Sequence, residues 1–194
     1  MMKHLFFLIL LTAPTYTTVW AQNTAVRFFD LPVHGKLFET THKYHRVDTT
    51  KYHDIPQAVK RLYTNSAGLF VSFKTSAPEI YAKWCVTDRR VGLNLTAIAN
   101  KGLDVYIKNE QGEWQYAISK GTVKECEELK LAEYLGDSEK EFLVYLPLYD
   151  ETKSLQIGVA EEYAIEALPN PFRKEIVVYG SSIVHGASAG RSGM

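Results

Sequence analysis

The chain has 194 residues, 46% of them hydrophobic, with 22 basic and 22 acidic side chains and no net charge. That length and composition suit a globular protein able to bury a good core. With no basic surplus there is no electrostatic footprint for nucleic acid, which is set aside as a partner.

Met1 to Ala21 opens with Lys3 and His4, continues through the apolar run Leu5–Leu11 and ends in Val19-Trp20-Ala21 before Gln22. This pattern is that of a signal peptide with a small-residue cleavage site, so export to a periplasmic or extracellular location is expected. The polar Thr15-Tyr16-Thr17-Thr18 blurs the cleavage point. The apolar run is too short to span a bilayer, and no transmembrane segment is expected. Removing the segment takes away only Lys3 among the charges, leaving 21 basic against 22 acidic residues.

His42, His45, Asp48, His53 and Asp54 crowd one polar stretch. Nothing fixes them on one helical face, so a loop is the preferred reading and no metal is expected. Ile55 to Tyr63 is the one helix-like segment, with Pro56 near its first turn.

From there the chain reads as mainly β. Leu69, Val71 and Phe73 alternate along one strand, and Ile80, Ala82, Trp84 and Val86 along the next. Thr75-Ser76-Ala77-Pro78 between them is turn chemistry, which predicts a hairpin. Leu103, Val105 and Ile107 form another strand, followed by the turn Asn109–Gly112 and a partner from Trp114 to Ile118. Phe142, Val144 and Leu146, then Leu155, Ile157 and Val159, give two more. Short strands at this spacing predict an antiparallel sandwich from about Phe28 to Ala167, with Leu143 or its neighbours also in the core. Ala167-Leu168-Pro169-Asn170-Pro171 reads as a linker. Cys85 and Cys126 have no metal or redox spacing. In an exported protein they can pair, at a worth of roughly 4 kcal/mol in the chain-entropy model. Cys85 lies inside a strand-like run, so a buried free thiol stays equally open.

The last segment carries most of the chemistry. Glu175-Ile176-Val177-Val178-Tyr179 reads as a buried parallel strand, and it empties into Gly180-Ser181-Ser182-Ile183-Val184-His185-Gly186. A Walker loop is excluded by the glycine spacing and the missing lysine, and GxGxxG is not met. The nucleophile elbow of α/β-hydrolases requires Gly where Val184 stands. A strand-to-helix turn does expose a serine hydroxyl and aims free N–H groups at one spot, as nucleophilic catalysis requires. The plainer reading is a tight βα connection.

Gly180-Ser181-Ser182-Ile183 resembles the first block of the SGNH (GDSL-type) hydrolases, with Ser181 where the block usually has Asp. Gly102-Leu103-Asp104-Val105-Tyr106 resembles the GxDLY motif of a module that precedes the catalytic domain in some bacterial SGNH esterases, Val105 standing for Leu. The stretches Asn65–Thr75, Tyr145–Tyr149, Ser154–Gly158 and Gly190–Met194 also resemble this branch, so the likeness runs from about Phe28 to the end. The resemblance implies that Ser182 is the nucleophile and that its backbone N–H is an oxyanion donor. It further implies a jelly-roll-like sandwich followed by the first strand and turn of a flavodoxin-like α/β hydrolase domain. The domain plan is then signal peptide 1–21, sandwich 22–167, linker 168–174 and hydrolase start 175–194. The base His of an Asp-x-x-His pair, and two further oxyanion donors, are expected beyond Met194.

Within that frame Gly180 and Ser181 leave room for the substrate carbonyl, and His185 is expected as a pocket wall rather than as the base. Asp104 is expected to satisfy backbone donors at a bulge or turn, so Gly102, Asp104 and Tyr106 form a structural motif. Two functions stay open. One is a serine esterase acting on small acyl esters, such as acetylated carbohydrates, through an acyl-enzyme and without a metal or organic cofactor. The other is a non-catalytic sandwich that binds polysaccharide or a partner through Trp84, Trp114 or its tyrosines. The oligomeric state is left open.

Overall fold

Period-two alternation of branched and aromatic residues builds two antiparallel sheets that close on one core. The computed structural model describes residues 25–174 and 176–194; the segment read as a signal peptide lies outside them. In chain order the strands are β1 (Val26–Phe29), β2 (Val33–His34), β3 (Phe70–Thr75), β4 (Ile80–Val86), β5 (Leu103–Lys108), β6 (Trp114–Lys120), β7 (Cys126–Ala132), β8 (Lys140–Tyr145), β9 (Thr152–Ala160) and β10 (Glu166–Ala167). Helix α1 (Gln57–Tyr63) precedes β3, and the short α2 (Ala97–Lys101) precedes β5. One sheet has the order β1-β9-β4-β7; the other has β10-β3-β8-β5-β6, with β2 added on β3.

The core lies between the sheets. Ala82, Trp84, Leu155 and Ile157 face it from one sheet, and Val71, Phe73, Val105, Phe142 and Val144 from the other. Phe73 and Phe142 stack with ring centroids 5.2 Å apart. The Trp84 indole is fully buried, and its N–H donates to the Lys101 carbonyl at 3.0 Å, so its one polar group is answered. The alternation thus names the inward residues correctly. Leu143 is buried too, but in register with Ser72 and Tyr106 on the opposite face of its sheet, away from the core.

The predicted hairpin of β3 with β4 does not form. β3 pairs with β8, whereas β4 pairs with β7 and β9 in the other sheet, so Thr75–Pro78 is an arch between layers. The Thr75 hydroxyl shapes it by accepting the Ala77 N–H at 3.1 Å and donating to the Ala164 carbonyl at 2.8 Å. The β5–β6 hairpin does form, with Lys108 opposite Trp114. Its turn is closed by the Gly112 N–H on the Asn109 carbonyl and by the Asn109 side chain on the Glu113 N–H. Helix α1 starts two residues later than its sequence pattern, with Pro56 as N-cap; α2 is too short to show a 3.6-residue period.

Cys85 and Cys126 stand opposite each other on β4 and β7 and form a disulfide closing a separation of 41 residues. The free-thiol alternative is therefore overturned. Reducing it, or replacing both cysteines by Ala, is expected to cost about 2–4 kcal/mol, because the unfolded chain regains the entropy of that loop. Urea unfolding with and without reductant measures it; coincident midpoints would contradict the expectation.

Candidate active site

Residues 176–180 enter no ladder, and Ile176, Val177 and Val178 are exposed. Apolar strands are held by neighbouring strands, and among the described residues none pairs with this segment. The chain then winds through turns. The His185 N–H donates to the Ser181 carbonyl at 3.2 Å, Gly186 N–H to Ile183 at 3.0 Å, and Ala187 N–H to Ser182 at 2.8 Å. Gly186 has φ +99°, and a Cβ there would stand 2.7 Å from Leu148 Cδ1, so the turn needs glycine twice over.

Ser182 is exposed on this turn. Its carbonyl accepts the Tyr149 hydroxyl at 2.9 Å; among the described residues its own hydroxyl has no hydrogen-bond partner. A Cβ at Gly180 would meet Val184 Cγ2 at 2.5 Å, which keeps that approach small. Ser181 is exposed beside it.

His185 turns away from Ser182. Its ring stacks on Tyr149, with centroids 4.2 Å apart and planes 16° from parallel. Its Nε2 lies 2.7 Å from the Leu148 carbonyl, which assigns the proton to that nitrogen. The Arg46 guanidinium stands 3.4 Å from the same atom, donor against donor. Burial, and then the Arg46 charge, push the His185 pKa down to about 4. The ring is neutral at pH 7 and spends its N–H on the backbone, and among the described residues no hydrogen bond joins it to the Ser182 hydroxyl. Arg46 is itself fixed, donating to the carbonyls of Leu62 at 2.7 Å and Asn65 at 3.1 Å.

The loop that meets His185 is anchored beneath. The Leu148 N–H donates to the Ala99 carbonyl at 3.0 Å. Next to it Asp150 and Lys101, both buried, pair at 3.5 Å. Lys101 also donates to the Thr87 carbonyl at 2.8 Å, and Asp150 accepts the N–H groups of Thr87 and Glu151. No motif announced this pair, since an isolated Lys and Asp some fifty residues apart carry no local pattern.

The GxDLY-like residues receive the end of the chain. Asp104 has no exposed surface, and its Oδ2 accepts the Gly193 N–H at 2.7 Å and Arg191 Nη1 at 2.9 Å. The Tyr106 hydroxyl donates to the Gly193 carbonyl at 2.6 Å and accepts from Arg191 Nη1 at 2.5 Å. The Gly102 carbonyl accepts the Ser192 hydroxyl at 3.2 Å. A Cβ at Gly102 would lie 2.5 Å from the Ile98 carbonyl oxygen, and one at Gly193 2.6 Å from the Tyr106 ring. The β5–β6 register shifts between Val105 and Tyr106, where Ala117 of β6 is the extra residue, a bulge opposite the motif. Arg191 completes the contact by lying 4.1 Å over the Tyr116 ring.

The histidine-rich loop resolves into separate structural contacts. Asp48 accepts the hydroxyl and N–H groups of both Thr41 and Thr50, which hold its carboxyl well below the usual range. His45 pairs with Glu151 at 3.1 Å. Among the described residues no three His, Cys, Asp or Glu side chains are grouped to hold a metal ion.

Residues 19–165 match the family model GxDLY, the N-terminus of SGNH-hydrolase-type esterases. The chain is similar to a crystal structure from Bacteroides ovatus whose protein is classed as a GDSL-like lipase, with TM-score 0.84 and 48% identity. The match covers 87% of this chain and 51% of that one, so the chain spans about half the length of that relative. A salicylyl-acyltransferase from a tetracycline biosynthetic pathway shares the fold at TM-score 0.50 and 15% identity, over 73% of this chain and 41% of that one. Comparison with curated proteins gives no match.

Asp104→Ala is expected to free the Arg191–Gly193 segment at a cost of about 2–3 kcal/mol, since it removes two hydrogen bonds to a charged acceptor. Hydrogen exchange of the Gly193 amide reads this directly; unchanged protection would refute it. His185 generates a pH dependence. With its folded pKa near 4 and an ordinary value of 6.5, the unfolded chain binds more protons between those values. Stability is therefore expected to fall as pH drops from 6.5 toward 4, and less steeply in His185→Gln. Unfolding midpoints at pH 7, 5.5 and 4 check this, and parallel curves for the two proteins would refute it.

Proposed function

Because the chain belongs to the GxDLY family, the N-terminal module of SGNH-hydrolase-type esterases, we propose that it serves an exported serine esterase whose nucleophile is Ser182. The observation that carries the reading is Ser182 on an exposed turn, its hydroxyl without a hydrogen-bond partner among the described residues and its carbonyl held by Tyr149. The GxDLY socket restrains the same segment a few residues later.

In this reading the Ser182 hydroxyl gives its proton to a base and attacks the ester carbonyl. The tetrahedral oxyanion is met by the Ser182 N–H, the alcohol leaves, and water hydrolyses the acyl-enzyme. Gly180 and Ser181 keep the approach to the carbonyl open, and His185 forms a wall of the site. The base and its orienting Asp come from an Asp-x-x-His pair outside residues 1–194. Small acyl esters, acetylated carbohydrates among them, are the substrate class. The sandwich 22–167, the linker 168–174 and the hydrolase start 175–194 remain the proposed domain plan, with export directed by residues 1–21. A purely sugar-binding role draws less support, because Trp84 is fully buried and Trp114 lies under Lys108.

The test is hydrolysis of an acetyl ester chromogen by the protein extended through the Asp-x-x-His block, against its Ser182→Ala variant and residues 22–194 alone. Loss of roughly 10⁴-fold or more is expected in both, since members of such a triad act as a unit. An undiminished Ser182→Ala enzyme would overturn the nucleophile assignment.

A further inference from the structure

Beside α1 a cleft of about 500 Å³ opens, lined by Lys60, Arg61, Arg89 and Glu151 together with Thr49, Gln57, Ala58 and Thr64. Three cations thus face one carboxylate, in a chain that carries no net charge. The carboxylate is already engaged, because Glu151 accepts from Lys153 at 2.8 Å and pairs with His45 at 3.1 Å and with Arg89 at 3.8 Å. Lys60 and Arg61 have no ion-pair partner among the described residues. Their place in the last turn of α1 suits the helix dipole, but that does not account for Arg89, which comes from beyond β4.

We propose that this cleft binds a carboxylate-bearing saccharide, an acidic sugar unit. Guanidinium groups match a carboxylate with paired donors. A cleft of this size exceeds a bare oxyanion, and Thr49 beside the cations suits a ligand that carries hydroxyls of its own, whereas the Thr64 hydroxyl donates to the Arg61 carbonyl at 2.8 Å. The cleft adjoins the Ser182 turn. Arg89 Nη1 donates to Asn65 Oδ1 at 3.2 Å, and Asn65 Nδ2 stands 3.5 Å from His185 Nε2. Any bearing of this cleft on an ester at Ser182 rests on the esterase reading, whereas the binding does not.

Isothermal titration of residues 22–194 with trigalacturonic acid tests the site, with maltotriose and inorganic sulfate as controls. The uronate is expected to bind, and to bind more weakly as salt rises to about 0.3 M. Maltotriose is expected to bind at least about tenfold more weakly. The double variant Lys60→Ala, Arg61→Ala is expected to lose about tenfold in affinity, two solvent-facing charge contacts being removed. Both positions lie outside the core, and circular dichroism verifies the fold; Arg89→Lys, which keeps the charge but not the fork, is expected to weaken binding as well. No uronate binding, equal binding of maltotriose, sulfate competing as well as the uronate, or undiminished binding by the double variant would each overturn the proposal. The titration needs no turnover, so its outcome is independent of whether Ser182→Ala abolishes hydrolysis.

Discussion

A carboxylate with no exposed surface must be answered by donors, and Asp104 finds them in a segment 87 to 89 residues further along. Nearly everything about the end of the chain follows from that requirement. Asp104 points away from the core because Val105 next to it points in, and one face of a strand cannot do both. On its outward side it shares a row with Tyr145 and Phe70, and Tyr106 shares the next row with Leu143 and Ser72. These outward residues are largely covered rather than wet: Ser72 and Asp104 are fully buried, and Leu143 nearly so. Sheet β10-β3-β8-β5-β6 therefore has two packed faces, one on the sandwich core and one that receives later parts of the chain, Phe172 against Phe70 among them.

A second set of contacts grips the Ser182 turn from the other side. Tyr149 stacks on His185 and donates to the Ser182 carbonyl, while Leu148 supplies the carbonyl that orients the imidazole. Burial and the adjacent Arg46 keep that imidazole neutral. A base needs its acceptor nitrogen on the nucleophile's hydroxyl, and among the described residues neither ring nitrogen of His185 is hydrogen-bonded to the Ser182 hydroxyl. Closeness in sequence is thus a poor guide to contact: three residues from Ser182, the His185 ring packs on Tyr149 and bonds the Leu148 carbonyl.

The sequence made the inward faces legible and left the partners dark. Alternation over Leu69-Val71-Phe73 and Ile80-Ala82-Trp84-Val86 states which side chains are buried, since period two is a property of one strand. It does not state which strand lies alongside, and for that reason the pattern suggests a hairpin of β3 with β4 although they belong to opposite layers. The cysteine pair shows the same limit, because 41 residues of spacing suit a disulfide and two thiols equally until β4 and β7 are known to be neighbours. β1, β2 and β10 are too short to display a period, and β7, although seven residues long, mixes Glu127, Glu128 and Lys130 with its leucines and carries no strand reading in the sequence. At the candidate site, Gly102, Asp104 and Tyr106 were marked by their motif, and Gly190–Met194 by its likeness to the same branch. That one binds the other is a tertiary fact. Arg46 and the Lys101–Asp150 pair had no sequence signal at all.

The division of labour between apolar and polar contacts explains how a sandwich can govern a turn it does not contain. Apolar burial is non-directional, and a turn held by it alone could slide. Along residues 180–193 the contacts are mostly directed instead: a hydroxyl on a carbonyl at Ser182, a ring N–H on a carbonyl at His185, and a carboxylate on an N–H at Gly193. Each contributes modestly to stability but fixes angle as well as distance. The cost of this arrangement is a set of positions that tolerate no side chain, Gly186 against Leu148 and Gly193 against Tyr106. The gain is that the front of the turn, where Ser182 stands, is left exposed while its back and its exit are held by β5 and the Leu148–Asp150 loop. On this view the GxDLY residues, chemically inert themselves, act on the proposed chemistry through the orientation of the segment they hold.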